Sequence, residues 1–226
     1  MSVVLDNSAT NASTGDWSFT TSGSDRILFV SFHWAVSTSS SASSVSYGGV
    51  AMTEIASKQK SGNAQVQLFY LVAPATGSNT ISWTSSGSTT VTVIAASYTG
   101  VDQSTPLDAT AQATLTKAGF SSSNSAQLAV TTTGSNESII NVCSVAGSST
   151  SGQLSITAPG NIEQATSTGT GACAFADYAA ATAGGYTVEW NRSQSATRNF
   201  VGISQAINPV GAGTSNSNNF FHFFQS

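Results

Sequence analysis

Apolar and polar residues alternate along the chain with the two-residue period of β-strands. The segment "DRILFVSFHWAV" shows this most clearly, because one face is apolar throughout and the other mixes apolar residues with Ser31 and His33. The apolar face consists of Leu28, Val30, Phe32, Trp34 and Val36. No segment has the 3.6-residue apolar period of a long helix. The pattern therefore predicts an all-β protein built from antiparallel strands.

A tight hairpin is predicted within "SVSYGGVAMTEIA", where Gly48 and Gly49 supply the positive φ angles that a two-residue turn needs. Further strands are predicted in "AQVQLFYLVAP", in "NTISWTSS" and in "TTVTVIAASY". Their positions within strands lead us to expect Trp34, Trp83 and Trp190 in the core.

The two halves of the chain resemble each other weakly. "GSDRILFVSFHWAVS" corresponds to "GSNESIINVCSVAGS" at 134–148, and "LDNSATNASTGD" at 5–16 corresponds to "LDATAQATLTKA" at 107–118. "TGSNTISWTSSGSTTVTVIAASY" corresponds to "AGGYTVEWNRSQSATRNFVGISQ" at 183–205, which aligns Trp83 with Trp190. We interpret the pattern as a duplicated unit of about a hundred residues.

Two architectures fit this duplication. The halves could build one jelly-roll sandwich with pseudo-twofold symmetry, or they could be two tandem immunoglobulin-like sandwiches. Because the connection "TGVDQSTPLDAT" is short and unlike a linker, we favour one β-sandwich over residues 1–210, with repeats at 1–105 and 106–210. Residues 211–226 are predicted to form a Gly/Ser/Asn spacer followed by a Phe-rich end.

Composition narrows the classes of partner. Charged residues are only 7% of the chain, which carries 41 Ser and 29 Thr and a net charge of −4. Such an acidic balance, with no basic stripe, argues against nucleic acid. No apolar run approaches the roughly 18 residues of a membrane span. The first residues lack the basic and apolar regions of a secretory signal, so we expect assembly in a host cytoplasm.

Candidate chemistry is sparse. His33 lies in mid-strand, His222 has no acidic or nucleophilic neighbour in sequence, and no G-x-S-x-G motif frames a serine. The ten acidic residues are scattered, and Asp102 fits an Asx turn better than a calcium site. Cys143 and Cys173 fit either buried thiols or a disulfide between neighbouring strands. We predict a protein that is not an enzyme and that uses no cofactor or metal.

Four segments carry a resemblance to a known kind of domain: "SDRILFVSF", "SSVSYGGVAMTEIAS", "VQLFYLVAPATGSNTISW" and "SYTGVDQSTPLDA". Together they resemble the β-sandwich modules, described as concanavalin-like or jelly-roll, of bacterial surface proteins and tailed-phage virion proteins. The resemblance covers roughly residues 15–110 well and the second half weakly. It implies a scaffold and no catalytic residue.

These observations predict a structural virion protein of a bacteriophage, either a capsid decoration protein or a head or tail fibre subunit. Its predicted contact with capsid or tail proteins, or with further copies in a homo-oligomer such as a trimer, is the apolar set Phe220, Phe221, Phe223 and Phe224. The alternative is a carbohydrate-binding or adhesin module on a phage or cell surface. Its candidate glycan contacts are Trp17 and Tyr47, the aromatic residues least constrained by strand position.

Overall fold

In the computed structural model, the described residues are 2–12, 15–35, 39–60, 64–88, 90–147, 151–157, 159–168 and 171–211. The first half contains the strands β1 (Val4–Asn11), β2 (Trp17–Thr21), β3 (Ile27–Trp34), β4 (Ser41–Tyr47), β5 (Val50–Ala51), β6 (Thr53–Lys60), β7 (Ala64–Val72), β8 (Gly77–Ser86) and β9 (Thr92–Thr99). The second half contains the strands β10 (Leu107–Phe120), β11 (Ala126–Thr132), β12 (Glu137–Ala146), β13 (Leu154–Ile156), β14 (Gly160–Thr168), β15 (Gly171–Ala180), β16 (Gly184–Arg192) and β17 (Arg198–Ile207). The one helical element in these ranges is a 3-10 turn, Ser151–Gln153, so no helix there is long enough to cross a membrane.

The first half forms a sandwich of two antiparallel sheets. Its larger sheet has the strand order β1-β9-β3-β7-β6, and its smaller sheet has the order β2-β8-β4-β5. Strands alternate between the sheets in the jelly-roll manner. The chain changes sheet within one segment, because β5 pairs with β4 whereas β6, two residues later, pairs with β7. Gly48 and Gly49 form the turn between β4 and β5 with φ angles of 55° and 81°, as the sequence predicted.

The second half repeats this strand order. Its larger sheet runs β10-β17-β12-β15-β14, and its smaller sheet runs β11-β16-β13. The prediction of an all-β, antiparallel jelly-roll sandwich is confirmed. Each half builds both sheets of its own sandwich, so the chain has the tandem arrangement and not the single sandwich that we favoured over residues 1–210. The sequence duplication itself stays a prediction.

A third core joins the two sandwiches. One apolar cluster fills each sandwich, and another lies between the two five-stranded sheets. The central cluster takes Phe29 and Leu68 from the first half and Phe175 and Ile203 from the second. The rings of Phe29 and Phe175 meet there at a centroid distance of 6.5 Å. The molecule is thus four sheets deep, with the two five-stranded sheets in the middle.

This layering explains why β3 is apolar on one face and half-apolar on the other. Every residue of β3 and of β12 is buried, since both strands lie at the centre of an inner sheet. Leu28, Val30, Phe32 and Trp34 face the core of the first sandwich, and the opposite face of β3 meets the second. Burial on both faces is ordinarily a feature of central strands in layered α/β sheets. In this protein a second sandwich covers the other face of the sheet, as helices do in α/β proteins.

Candidate functional site

The two predicted glycan contacts both point into the first sandwich. Tyr47 is 1% exposed, and its hydroxyl donates to the carbonyl oxygens of Phe19 and Gly77. Trp17 is half-buried and packs edge-on against Phe19, with ring centroids 5.7 Å apart. Tyr47 therefore offers no ring face to a ligand in this structure. Trp17 keeps part of its surface accessible at the end of the sandwich.

The predicted partner contacts Phe220, Phe221, Phe223 and Phe224, like His222, lie outside the described residues. The chain leading to them is fixed as far as residue 211. Pro209 forms a β-bridge with Val101, and the Val210 amide donates to the Gly100 carbonyl at 2.8 Å. The last described residues therefore lie at the junction between the two sandwiches.

That junction is braced by Asp102. Its Oδ1 accepts the backbone N–H groups of Ser104 and Thr105, at 2.8 and 2.9 Å. These hydrogen bonds lower the pKa of the Asp102 carboxyl below its usual value. The Asp102 amide in turn donates to the Asn208 carbonyl at 2.9 Å. Asp102 is an Asx-turn residue, as the sequence predicted, and it fastens the end of β17 to the connection between the halves.

The outer face of the smaller first-half sheet carries hydroxyl groups alone on β2, β8 and β4. These side chains belong to Ser18, Thr20, Ser41, Ser43, Ser46, Ser78, Thr80, Ser82, Thr84 and Ser86. Neighbouring hydroxyls bond across the strands: Ser43 and Thr84 lie 2.8 Å apart, and Ser41 and Ser86 lie 2.7 Å apart. We call this surface the hydroxyl face. The corresponding face of the second half is mixed, with Gln127, Glu189 and Asn191 among its residues.

The outermost strands of both five-stranded sheets are irregular. β1, β6, β10 and β14 each carry at least one register shift against their neighbour. Bulges of this kind twist an edge strand and interrupt its row of free backbone groups. Strand addition by another chain is therefore disfavoured at all four edges.

A carboxylate holds the same corner in each sandwich. In the first, Asp6 accepts the Ser22 amide at 2.8 Å and the Ser97 hydroxyl at 2.7 Å. Although burial raises the pKa of Asp6, these bonds and the charge of Arg26 bring it below its usual value. We call the pair of Asp6 and Ser22 the first clip, because it ties β1 to the loop entering β3.

In the second sandwich, Asp108 accepts the Thr133 amide and hydroxyl, both at 2.7 Å. We call this pair the second clip. Its neighbour is Glu137, which is 2% exposed, accepts the Gly134 amide and has no partner for Oε2. Burial, and then the nearby Asp108, raise the pKa of Glu137 to about 7. Although burial raises the pKa of Asp108, hydrogen bonds from Thr133 and Thr110 bring it below its usual value, so as the pH falls below 7 the proton is taken up by Glu137 and not by Asp108.

Two further polar groups lie in the central layer. His33 is fully buried with Nε2 2.8 Å from the Ser31 hydroxyl, and burial lowers its pKa to about 3, which keeps the ring neutral. Tyr98 is 1% exposed, and burial followed by the charges of Asp177 and Glu163 raises its pKa. Both groups are packed between sheets, which gives them structural roles.

Both cysteines are free and buried in the larger second-half sheet. Cys173 faces the central core, whereas Cys143 faces the core of the second sandwich. Side chains on opposite faces of one sheet cannot be joined by a disulfide. Across the described ranges, no three His, Cys, Asp or Glu side chains form a group that could hold a metal.

Comparisons with protein-family models, with curated proteins and with solved structures found no match for this chain.

Proposed function

We propose that this protein is a non-enzymatic structural component of a bacteriophage virion, either a decoration protein or a fibre subunit. The observation that carries the proposal is that the described chain ends at a braced junction between two sandwiches that share a buried core. A rigid body with an apolar segment at a fixed point suits attachment to a larger assembly. The resemblance of the first half to virion and surface modules supports the same class.

The bulged edge strands favour the apolar segment as the site of attachment. Assemblies of β-sandwiches join by strand addition or by inserting apolar residues into a neighbour. Irregular outer strands disfavour the first mode at the two five-stranded sheets, and we assign attachment to Phe220, Phe221, Phe223 and Phe224. Burial of each phenylalanine contributes about 1.5–3 kcal/mol before ordering costs are subtracted.

The test compares attachment of three purified chains to virions that lack the protein. One is the full chain, one ends at Gly211, and one has the four terminal phenylalanines changed to serine. Val50→Ser is the matched control, because Val50 is an apolar residue of the body with 55% of its surface exposed. We expect attachment to be lost in the second and third chains and kept in the control.

A different role for the terminal segment predicts a different result. The segment could instead cover its own sandwich, in which case the shortened chain would have a lower Tm and would attach normally. That combination would overturn the proposed attachment. Sedimentation of the full and shortened chains reports separately on whether the segment holds copies of this protein together.

A second candidate function, glycan binding, is favoured by the hydroxyl face. An uncharged sheet of Ser and Thr side chains presents hydrogen-bond donors and acceptors at a regular spacing, which suits a neutral saccharide. The test is a glycan array with Thr84→Lys, on the hydroxyl face, and Thr187→Lys, on the mixed face, as its matched control. Glycan binding lost only in Thr84→Lys would support this function. Binding that is absent, or equally reduced in both variants, would exclude the hydroxyl face.

A further inference from the structure

Three buried N–H donors without partners lie near one end of the second sandwich. They are Trp190 Nε1 and Arg192 Nε on β16, and Arg198 Nε at the start of β17. Trp190 and Arg192 are two residues apart on the same inward face of their strand. Buried donors are nearly always satisfied in native proteins, and an unpaired one marks strain or a missing acceptor.

Arg192 is a buried charge whose protein partners are all neutral. Only 4% of its surface is exposed, and its two terminal nitrogens donate to the Ala196 carbonyl and to Gln153 Oε1. Burial and the neighbouring Arg198 both lower the pKa of Arg192. A buried cation is costly unless a negative charge compensates it. The charged group that acts on Arg192 is instead a second cation, Arg198.

Arg198 extends this positive region to the surface. It is half-buried and donates from Nη1 to the Thr197 carbonyl at 3.1 Å. Its side chain lies against Gly147, where an added Cβ would come within 2.6 Å of Nε. Arg198 also lines an open cleft of about 410 Å³ together with Ala118, Gly119, Ala146, Gly147, Thr197 and Asn199.

The segment that joins β16 to β17 has no cationic counterpart in the first half. Residues 85–91, from the end of β8 to the start of β9, contain no Lys or Arg. The framework therefore does not need arginine there. The chain has only six Lys and Arg residues, and two of them, Arg192 and Arg198, lie close enough to influence each other.

We propose that the cleft beside Arg198 binds a compact oxyanion, a phosphate, sulfate or carboxylate group, which the Arg198 guanidinium contacts while Arg192 supplies supporting charge. A planar guanidinium suits such groups because two of its N–H donors match two oxygens. This ligand site is separate from the apolar segment of the proposed attachment. A failure of either proposal leaves the other standing.

The experiment is isothermal titration of the full chain at low ionic strength with inorganic phosphate, sulfate and acetate. Arg198→Gln is the test variant, and Lys58→Gln on β6 is the control that removes the same charge elsewhere. We expect saturable binding at a single site, weakened about tenfold or more by Arg198→Gln and unchanged by Lys58→Gln. Glucose 6-phosphate is titrated in the same way. If it binds more tightly than inorganic phosphate, the natural ligand is a phosphate carried by a sugar. If the two bind equally, the natural ligand is the free ion.

Two results would overturn the site. One is the absence of saturable binding for all the anions, and the other is an Arg198→Gln variant that binds as the parent chain does. If Arg198→Gln does not fold, Arg198→Lys replaces it, since lysine keeps the charge and loses the paired donors. Weaker binding of the anions to that variant then supports the proposal, and unchanged binding contradicts it.

Discussion

In both sandwiches an aspartate near the start of the first strand holds the loop that leads into the central strand. The first clip joins Asp6 to Ser22, and the second clip joins Asp108 to Thr133, each through a backbone amide and a hydroxyl. The residue that precedes Arg26 or Glu137 adopts a positive φ in both halves. These shared features accompany the same strand order, so they belong to the framework.

The halves differ in the charges placed on that framework. Arg26 lies beside the first clip, where its charge favours the ionised Asp6. Glu137 occupies the corresponding place beside Asp108, where burial and the Asp108 charge raise its pKa to about 7. A change of one side chain thus converts a corner stabilised by charge into one sensitive to pH. The charge at this corner therefore differs between the halves while the packing of the fold is retained.

The largest expected effect comes from the core that joins the halves. Phe175→Ala removes a fully buried ring that meets Phe29 across the central layer, and such truncations cost about 3–5 kcal/mol. Because this core belongs to both sandwiches, calorimetry should show one transition at a lower temperature. Phe32→Ala, inside the first sandwich, is the matched control and should also shift a single transition. Two separated transitions in Phe175→Ala would show that the halves melt independently.

Glu137→Gln should remove a pH dependence that belongs to the second half. The folded pKa of Glu137 is raised from 4.5 to about 7, so the unfolded chain loses this proton first as the pH rises. The stability of the parent chain therefore falls between about pH 4.5 and pH 7 because of this group. At pH 8 the amide satisfies the buried site without charge and should raise the free energy of unfolding by about 1–3 kcal/mol.

The measurement is urea unfolding at pH 5 and pH 8, taken as the difference between variant and parent. Taking the difference removes the contribution of His33, which is the same in both chains. The pKa of His33 is lowered to about 3, so its contribution raises the stability as the pH rises to 6.5. Asp16→Asn, at an exposed position, is the control. A variant whose gain is equal at both pH values would contradict the raised pKa of Glu137.

Alanine substitutions at two glycines distinguish the cost of backbone strain from the cost of a steric clash. Gly49 and Gly147 have φ angles of 81° and 77°, yet a Cβ at Gly49 meets nothing within 4 Å, whereas one at Gly147 meets Arg198. Gly49→Ala should cost about 1–2 kcal/mol from strain alone. Gly147→Ala should cost more, because it also displaces the arginine. Equal losses in thermal unfolding would show that Arg198 moves freely.

The smallest effects are expected at the clips themselves. Ser22→Ala and Thr133→Ala each remove one hydroxyl donor while the backbone amide stays, at a cost of about 0.5–1.5 kcal/mol. The loss of unfolding free energy should be larger for Thr133→Ala than for Ser22→Ala, because Asp108 is only 4% exposed whereas Asp6 is half-buried. Chemical unfolding of both variants measures the difference. A greater loss in Ser22→Ala would reverse the ranking that burial predicts.

Much of the fold follows from local pattern. The Gly48-Gly49 hairpin, the burial of Trp34 and Trp190, and the Asx turn at Asp102 agree with the structure, because each depends on residues close in sequence. The half-apolar second face of β3 is visible in the sequence, and only the structure shows that a second sandwich covers it.

The candidate sites were less predictable. Tyr47 looked available for a ligand because its position in a strand constrained it less than the core tryptophans, yet its hydroxyl finds acceptors inside the sandwich. Arg192 and Arg198 stood out in no motif, since their meeting depends on how the loop after β16 folds back. Their one signal was the lack of any Lys or Arg in residues 85–91, between β8 and β9 of the first half.

Hydrogen exchange in β3 and β12 tests most directly whether the two sandwiches form one body. Both strands are buried throughout and lie on either side of the central core. We predict that their slowest amides exchange at the same rate, through global unfolding, and that Phe175→Ala accelerates both equally. Acceleration confined to β12, with β3 unchanged, would contradict the shared core.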